Sequence, residues 1–242
     1  KGVGVEKSAE ECVKWCKLAA EKGHAEAEWY LGNLYGAGFG VEQNFDKYIE
    51  WVKRSAENGL TKAQLDLGYK YANGAGVEHD GGEAYKWFKL AADAGSVEAE
   101  FMLGSLYMTG FGVKKDVQYG FQLKKKAADL GDADAEYVIG LYYRKGEGVE
   151  KNEAEAINWF KRAAKQGHNS ANFKLALYYA SEKNLDKNWG MATEYISLVQ
   201  QDRFLNFHKD DILDLYEEHQ INVDEMPALF KEKMDALIRN SR

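Results

Sequence analysis

One unit of an internal repeat occupies residues 96–131, which read SVEAEFMLGSLYMTGFGVKKDVQYGFQLKKKAADLG. Its Leu-Gly dipeptide and its Gly-x-Gly-Val loop return every 36 residues along the chain. The dipeptide stands at Leu31, Leu67, Leu103 and, as Ile-Gly, at Ile139, and the loop begins at Gly2, Gly38, Gly74, Gly110 and Gly146. A fixed period of this length is typical of a solenoid, in which each unit packs only on its neighbours.

A good helix N-cap stands at the same place in every unit. The residues of this column are Ser8, Asn44, Asp80, Asp116, Asn152 and Asn188. Their side chains accept hydrogen bonds from the first free backbone N–H groups, so a helix is predicted to begin here. We call it helix B, and a glycine such as Gly95 or Gly131 is expected to end it.

The second helix of each unit, helix A, carries a single apolar stripe. In the first complete copy the stripe is Ala27, Leu31 and Tyr35, which are spaced by four and therefore share one face. The glycine of Leu-Gly lies inside this helix, where glycine costs about 1 kcal/mol relative to alanine. We therefore predict that a neighbouring helix approaches too closely there for a Cβ. Only one proline, Pro227, occurs in the chain, which favours an all-helical fold.

Together these columns resemble the Sel-1-like repeat family, which is related to the tetratricopeptide repeats. The shared pattern is Ala-x-Ala-x-x-x-Leu-Gly-x-x-Tyr-x-x-Gly-x-Gly-Val-x-x-Asp, then Ala-x-x-Trp-x-x-x-Ala-Ala-x-x-Gly, over roughly residues 2–200. Leu123 departs from it by replacing the tryptophan, and Gly81-Gly82 is interpreted as a loosened start of one helix B. The resemblance implies an all-α, right-handed α/α superhelical solenoid, with helix A on the concave side and helix B on the convex side. It also implies a non-enzymatic adaptor or scaffold for proteins, in a bacterial secretion, host-interaction or toxin-immunity context.

We expect three segments along the chain. These are an incomplete first repeat with helix B only at 1–23, about five repeats with a degenerate last copy at 24–201, and a helical C-terminal cap at 202–242. Residues 210–219 and the stretch from Asp224 read as amphipathic helices, which either only shield the last repeat or also dock a partner. Trp189 is expected to anchor them. Because the chain opens inside a unit, we expect a half-unit before Lys1, and both bacterial periplasm and cytoplasm stay open.

Charge and motif spacing argue against several functional classes. The chain has 32 basic and 39 acidic residues, and its only compact basic run is 124–126, so no nucleic-acid partner is expected. No stretch approaches the roughly 18 apolar residues of a membrane span, so we expect a soluble chain. The five histidines and two cysteines have no metal-site or nucleophile–base spacing. We therefore expect no catalytic residue, metal or cofactor. An enzyme or small-ligand receptor, with one deep polar pocket assembled across repeats, remains the alternative.

The variable positions of helix A form the candidate partner-binding surface. They lie off the apolar stripe and are expected to face a concave groove together. The set is Tyr30, Asn33, Asp66, Tyr69, Met102, Ser105, Val138, Leu141 and Lys174. Aromatic and methionine anchors among polar groups suit a protein or peptide ligand. We expect Tyr30, Asp66, Tyr69 and Met102 to be exposed, whereas packing between units is the alternative for Val138 and Leu141. We expect a monomer, with self-association through the incomplete first unit as the alternative.

Overall fold

A computed structural model describes residues 8–183, 187–200 and 219–240. Within these ranges the chain forms twelve α-helices, a short 3₁₀ turn at Val223–Glu225 and no strand. The helices are α1 (Ala9–Ala20), α2 (Ala25–Ala37), α3 (Phe45–Glu57), α4 (Thr61–Asn73), α5 (Gly81–Asp93), α6 (Val97–Thr109), α7 (Val117–Asp129), α8 (Ala133–Lys145), α9 (Glu153–Lys165), α10 (Asn169–Ala180), α11 (Trp189–Ser197) and α12 (Ala228–Asn240). The odd-numbered helices α1 to α11 are helix B, and the even-numbered helices α2 to α10 are helix A. The predicted all-α solenoid of repeated helix pairs is confirmed.

Two compact units, Lys1–Lys126 and Ala127–Arg242, divide the chain. In the first unit, fully buried residues such as Leu31, Val52 and Leu67 alternate between helix A and helix B. In the second unit, one apolar cluster joins α9, α10 and α11 and extends to α12. None of the described helices is long and apolar enough to cross a membrane.

Every helix B begins at its predicted N-cap. Asn44, for example, accepts a hydrogen bond from the backbone N of Lys47 at 2.9 Å. The other five caps, at Ser8, Asp80, Asp116, Asn152 and Asn188, accept in the same way. Each cap of this kind contributes about 1 kcal/mol to helix stability. The N-cap column therefore fixes where each unit starts helix B.

The glycines of the Leu-Gly dipeptides mark close helix-to-helix contacts, as predicted. A Cβ on Gly68 would lie 2.5 Å from Cε1 of Phe88, which is fully buried in α5. A Cβ on Gly104 would lie 2.8 Å from the carbonyl oxygen of Gly120 in α7. The absent side chain is what allows helix A to pack this tightly on helix B of the same unit.

The interpretation of Gly81-Gly82 as a loosened helix start is wrong for Gly81. This residue is buried at the start of α5, and a Cβ on it would lie 2.4 Å from the backbone N of Gly112. The loop that follows α6 therefore rests directly on the first turn of α5. Gly82 is exposed, and a Cβ there would meet only Asp80 Oδ1 at 3.2 Å.

One column of helix A is polar and buried. Its members are Glu28, Gln64, Glu100, Glu136 and Asn172, of which all but Glu100 are buried. The Glu136 carboxylate is 2.8 Å from the guanidinium of Arg162, and its second oxygen accepts from Gln166 Nε2 at 2.9 Å. The Arg162 guanidinium also lies 4.2 Å from the ring of Trp159 and donates to the carbonyl of Ala128. We call this set, Glu136 with Arg162 and Gln166, the acid clasp.

Whether this column holds a carboxylate or an amide depends on the residue 26 positions later in the chain. Glu28 is paired with Arg54 at 3.5 Å, and Glu100 is paired with Lys126 at 3.2 Å. Where the later residue is Leu90, the buried residue is the amide Gln64, whose Nε2 donates to the carbonyl of Ala56 at 3.1 Å. A carboxylate occurs in this column only where a cation is available, as the cost of burying an unpaired charge requires.

The last described helix packs on the final repeat. Phe230, Met234 and Leu237 of α12 are buried in the cluster formed by α10 and α11. The ring of Trp189 lies 5.4 Å from the ring of Phe230 in an edge-on arrangement. The helix predicted at 210–219 lies almost wholly outside the described residues, and the division of the chain into three segments stays a prediction.

Candidate binding surface on helix A

The predicted surface residues of α2 and α4 lie near one another. Tyr30 is 57% exposed, and its ring lies 5.2 Å from that of Trp29. Asn33 and Asp66 are half-buried and line the same cavity, between the end of α2 and the middle of α4. The structure thus brings together two residues of the predicted set that are 33 positions apart in the sequence.

This cavity, which we call the Tyr48 pocket, has a volume of about 350 Å³. It is lined by Asn33, Gly36, Ala37, Phe45, Tyr48, Asp66 and Lys70. Three helices supply these residues, since α2 gives the first three, the first turn of α3 gives the two rings, and α4 gives the acid and the base. Its volume falls in the range of pockets that hold small ligands or single side chains of a partner.

A large side chain at Tyr48 fits because the facing residue is Gly36. A Cβ on Gly36 would lie 3.0 Å from Cδ2 of Tyr48. In the later units the position of Tyr48 is held by small residues, Ala84, Gly120, Ala156 and Ala192, and that of Gly36 by larger ones, Ala72, Met108, Arg144 and Ala180. The larger side chain thus stands on helix B in this unit, whereas in the units of Met108 and Arg144 it stands on helix A.

The hydroxyl of Tyr48 donates a hydrogen bond of 2.6 Å to Asp66 Oδ2. Burial, and then this hydrogen bond and the negative charge of Asp66, raise the pKa of Tyr48 above its ordinary value. The tyrosine therefore stays neutral and remains a hydrogen-bond donor. The Nζ of Lys70, one helical turn after Asp66, lies 5.1 Å from the centre of the Tyr48 ring. The carboxylate of Asp66, the hydroxyl of Tyr48 and the ammonium of Lys70 therefore all belong to this pocket.

Asp66, Tyr69 and Met102 were expected to be exposed, but all three are half-buried. Tyr69 is half-buried, because its ring packs on Phe88 and its hydroxyl donates to Glu98 at 2.8 Å. Burial, and then the contact with Glu98, raise the pKa of Tyr69. Met102 is half-buried against the apolar cluster around Leu103, and Ser105 is half-buried as well. Only part of each of the Tyr69, Met102 and Ser105 side chains is exposed on the surface, and the rest packs between helices.

In the second unit the three predicted residues, Val138, Leu141 and Lys174, are all half-buried. Leu141 packs against the apolar cluster of α9 and α10, which agrees with the alternative of packing between helices. Val138 stands on α8 and Lys174 on α10, at the helix A positions that correspond to Asp66.

Sequence reasoning missed Phe45, Tyr48 and Lys70. The first two belong to helix B, which the search for variable helix A positions left out. A signal was nonetheless present, because Tyr48 and Lys70 both depart from their columns. Where the chain has Lys70, the other units have Leu34, Leu106, Tyr142 and Tyr178. Departures from the repeat in two columns therefore meet at one site.

Acid–base chemistry finds little support at this pocket. Tyr48 and Asp66 are already hydrogen-bonded to each other, and no histidine or cysteine is among the described residues that line the cavity. Among the residues that the structure describes, no group of three or more His, Cys, Asp or Glu side chains is placed to hold a metal ion. The arrangement can donate and accept hydrogen bonds and can stack against a ring, which are the requirements of binding.

A second cavity of the first unit, of about 150 Å³, lies among tyrosines of α5, α6 and α7. The rings of Tyr85 and Tyr119 stand edge-on to that of Tyr107, at 6.1 and 4.8 Å. The charges at this cavity are already paired, Lys89 with Asp93 and Lys126 with Glu100. No charged group there is left to recognise a ligand.

Comparison with known proteins agrees with the geometry. The Sel1 repeat model matches residues 1–24, 25–60, 61–96, 97–132 and 133–168. The chain is 32% identical to a Sel1 repeat protein from Oxalobacter formigenes, with a TM-score of 0.75, over 84% of this chain and 83% of that one. It is 25% identical to a protective antigen of uropathogenic Escherichia coli that displays an SLR fold, with a TM-score of 0.78, over 98% of this chain but only 50% of that one.

An immunity protein from Pseudomonas aeruginosa is 26% identical, over 81% of this chain and 75% of that one, with a TM-score of 0.49. No curated protein matches the chain significantly. The Oxalobacter protein and the Escherichia coli antigen share the fold of this chain, and the family model spans more than half of its length. The chain belongs to the Sel1 repeat family.

Proposed function

We propose that this protein is a non-enzymatic adaptor that holds a protein or peptide on the face formed by its A helices. The observation that carries the proposal is the Tyr48 pocket, where residues that depart from the repeat line an open cavity. Tyr30 is exposed on the same helix as the lining residue Asn33, three positions before it. Sel1 repeat proteins are typically non-enzymatic scaffolds for protein interactions, which agrees with this assignment. A bacterial secretion, host-interaction or toxin-immunity setting is a narrower hypothesis that rests on family membership.

The predicted surface residues differ in how much their side chains contribute to packing. Tyr30 and Asn33 can be shortened with little loss of packing, since Tyr30 is 57% exposed and, among the described residues, Asn33 hydrogen-bonds only to the carbonyl of Trp29 on its own helix. Tyr69 and Met102 pack against the core, so their truncation would lower stability as well as binding. Variants at Tyr30 and Asn33 therefore separate binding from folding.

The proposal is tested with the variant Tyr30→Ala/Asn33→Ala. Native binding partners are captured from a lysate on immobilised wild type, identified by mass spectrometry, and then measured as purified proteins by calorimetry. The matched control is Leu18→Ala/Leu90→Ala, which shortens two helix B side chains that are each 42% exposed. We expect the purified partner to bind the control normally and the helix A variant at least tenfold more weakly, which corresponds to about 1.4 kcal/mol. Equal binding by both variants would place the partner elsewhere.

A further inference from the structure

We propose that the Tyr48 pocket receives an arginine side chain of the partner and that Lys70 is the internal cation this arginine displaces. The inference rests on the proposed function and adds the chemistry that the partner presents. Three features of the pocket carry it: its free hydrogen-bond acceptors, its exposed ring and the position of Lys70.

Two acceptors remain available on the walls of the pocket. Asp66 accepts one hydrogen bond, from the hydroxyl of Tyr48. A carboxylate has about four lone-pair positions, so it can take a guanidinium as well. The amide of Asn33 is held by the hydrogen bond from its Nδ2 to the carbonyl of Trp29 at 2.9 Å, and its oxygen accepts no bond from the described residues. Acceptors facing a cavity favour a ligand that is rich in donors.

Aromatic surface completes the site. The Phe45 ring is 55% exposed at one wall, and the Tyr48 ring forms another wall. A guanidinium is planar and weakly hydrated, so it stacks on such faces while its edge donates to a carboxylate. An ammonium group is more strongly hydrated and lacks the planar fork, so arginine fits this combination better than lysine.

Lys70 already occupies the position of a cation in this pocket. Its ammonium lies 5.1 Å from the centre of the Tyr48 ring, and no carboxylate of the described residues lies within 4.0 Å of it. A cation without an ion-pair partner, at the end of a flexible and half-buried side chain, is held weakly. An incoming arginine can therefore take its place near Asp66 while Lys70 turns to solvent.

A carboxylate ligand is the competing occupant of the pocket. It would be repelled by the charge of Asp66, and the hydroxyl of Tyr48 is already hydrogen-bonded to Asp66. Its binding would therefore depend on the ammonium of Lys70 and on the second N–H of Asn33 Nδ2. The two chemistries make opposite predictions for two variants. If the ligand is a cation, removal of the Lys70 charge strengthens binding and removal of the Asp66 charge weakens it. If the ligand is an anion, both signs reverse.

The test uses the full chain and three small probes, N-acetyl-arginine amide, N-acetyl-lysine amide and N-acetyl-glutamate amide. Binding is followed by the backbone amide shifts of isotope-labelled protein in nuclear magnetic resonance. We expect saturable shifts at Gly36, Phe45 and Asp66 with the arginine probe, and weaker or no binding of the other two. Asp66→Asn should weaken arginine binding about tenfold, as the loss of one charge-assisted hydrogen bond predicts. Lys70→Met, which keeps the apolar stem, should strengthen it about threefold.

Controls of equal charge change are Lys53→Met and Glu57→Gln, which are both exposed on α3 and lie outside the pocket. Both should leave the arginine affinity within a factor of about 1.5, because separated surface charges are screened. Reversed signs for the two pocket variants, or saturation by the glutamate probe alone, would overturn the inference in favour of an acidic ligand. Failure of all three probes would overturn it too. The adaptor proposal would survive either result if Tyr30→Ala/Asn33→Ala still released the partner.

Discussion

Arg162→Leu should lower the free energy of unfolding by about 3 kcal/mol, because it leaves the buried carboxylate of the acid clasp without its cation. The Glu136 side chain is 2% exposed and that of Arg162 is 43% exposed. Breaking a buried ion pair costs about 3–5 kcal/mol, and the exposure of Arg162 places this pair at the lower end. The contacts that disappear are the 2.8 Å approach of Arg162 to Glu136 and the 3.1 Å hydrogen bond to the carbonyl of Ala128.

The second substitution Glu136→Gln should restore most of the loss. The chain already contains this pairing, since Gln64 stands in the same column and Leu90 lies 26 residues later. Gln64 donates to the carbonyl of Ala56, and the corresponding carbonyl of Ala128 is the one that Arg162 vacates. An amide at position 136 can therefore replace the lost donor without an unpaired charge. The double variant should be about 1 kcal/mol less stable than wild type, the net value of one hydrogen bond.

The assay is urea unfolding followed by far-ultraviolet circular dichroism, with amide hydrogen exchange of α8 and α9 as a local measure. The local measure is needed because repeat proteins often unfold in parts. The reciprocal control is Gln64→Glu, which should cost about 2–3 kcal/mol alone and less when combined with Leu90→Arg. The reasoning is refuted if Arg162→Leu costs under about 1 kcal/mol, or if the double variant is no more stable than the single one.

Three further predictions concern packing and ionisation. Gly68→Ala should cost about 2–3 kcal/mol in thermal unfolding, because its Cβ would lie 2.5 Å from the buried ring of Phe88. The control Gly82→Ala, at an exposed helical position, should stabilise the protein by about 0.5–1 kcal/mol. Equal effects of the two substitutions would contradict the packing argument. Tyr48→Phe should cost about 1–2 kcal/mol in urea unfolding at pH 7, as it removes the bond to Asp66, and a Tyr119→Phe control should cost less. The hydrogen bond to Tyr85, and then burial, raise the pKa of Tyr107 to about 12, so Tyr85→Phe should lower it in a titration at 295 nm. Because folding raises the pKa of Tyr107, its neutral hydroxyl stabilises the folded protein; this stabilisation is complete below about pH 10 and is lost as the pH rises through about 12. An unchanged titration of Tyr107 in the Tyr85→Phe variant would exclude the hydrogen bond.

The helices and their packing glycines could be read from the sequence because local chemistry determines them. Asn44 caps α3 through the backbone N of a residue three positions later, so the cap depends on a short stretch of chain. The role of Gly68 could be inferred because glycine destabilises the interior of a helix, so a glycine that recurs there indicates close approach of a neighbouring helix. Gly81 was misread, since the group that it contacts, the backbone of Gly112, lies 31 residues away in a loop.

The binding surface was predicted only in part. Asn33 and Asp66 belong to the predicted set and do line one cavity. Tyr69 was expected to be exposed, but its hydroxyl meets Glu98 of the following helix A and its ring meets Phe88. Variation within a column indicates that a position is not required by the repeat. It does not show which neighbour the new side chain will contact.

The sequence alone determined the period, the two helices of each unit, their caps and the family to which the chain belongs. The helices and caps follow from hydrogen bonds and spacings within one 36-residue unit, and the period and the family follow from comparing the copies. Only the tertiary structure decided that Tyr48, Asp66 and Lys70 share a pocket with Asn33. Their meeting depends on the distances between three helices and on the space left by Gly36, and such distances arise only when the units pack.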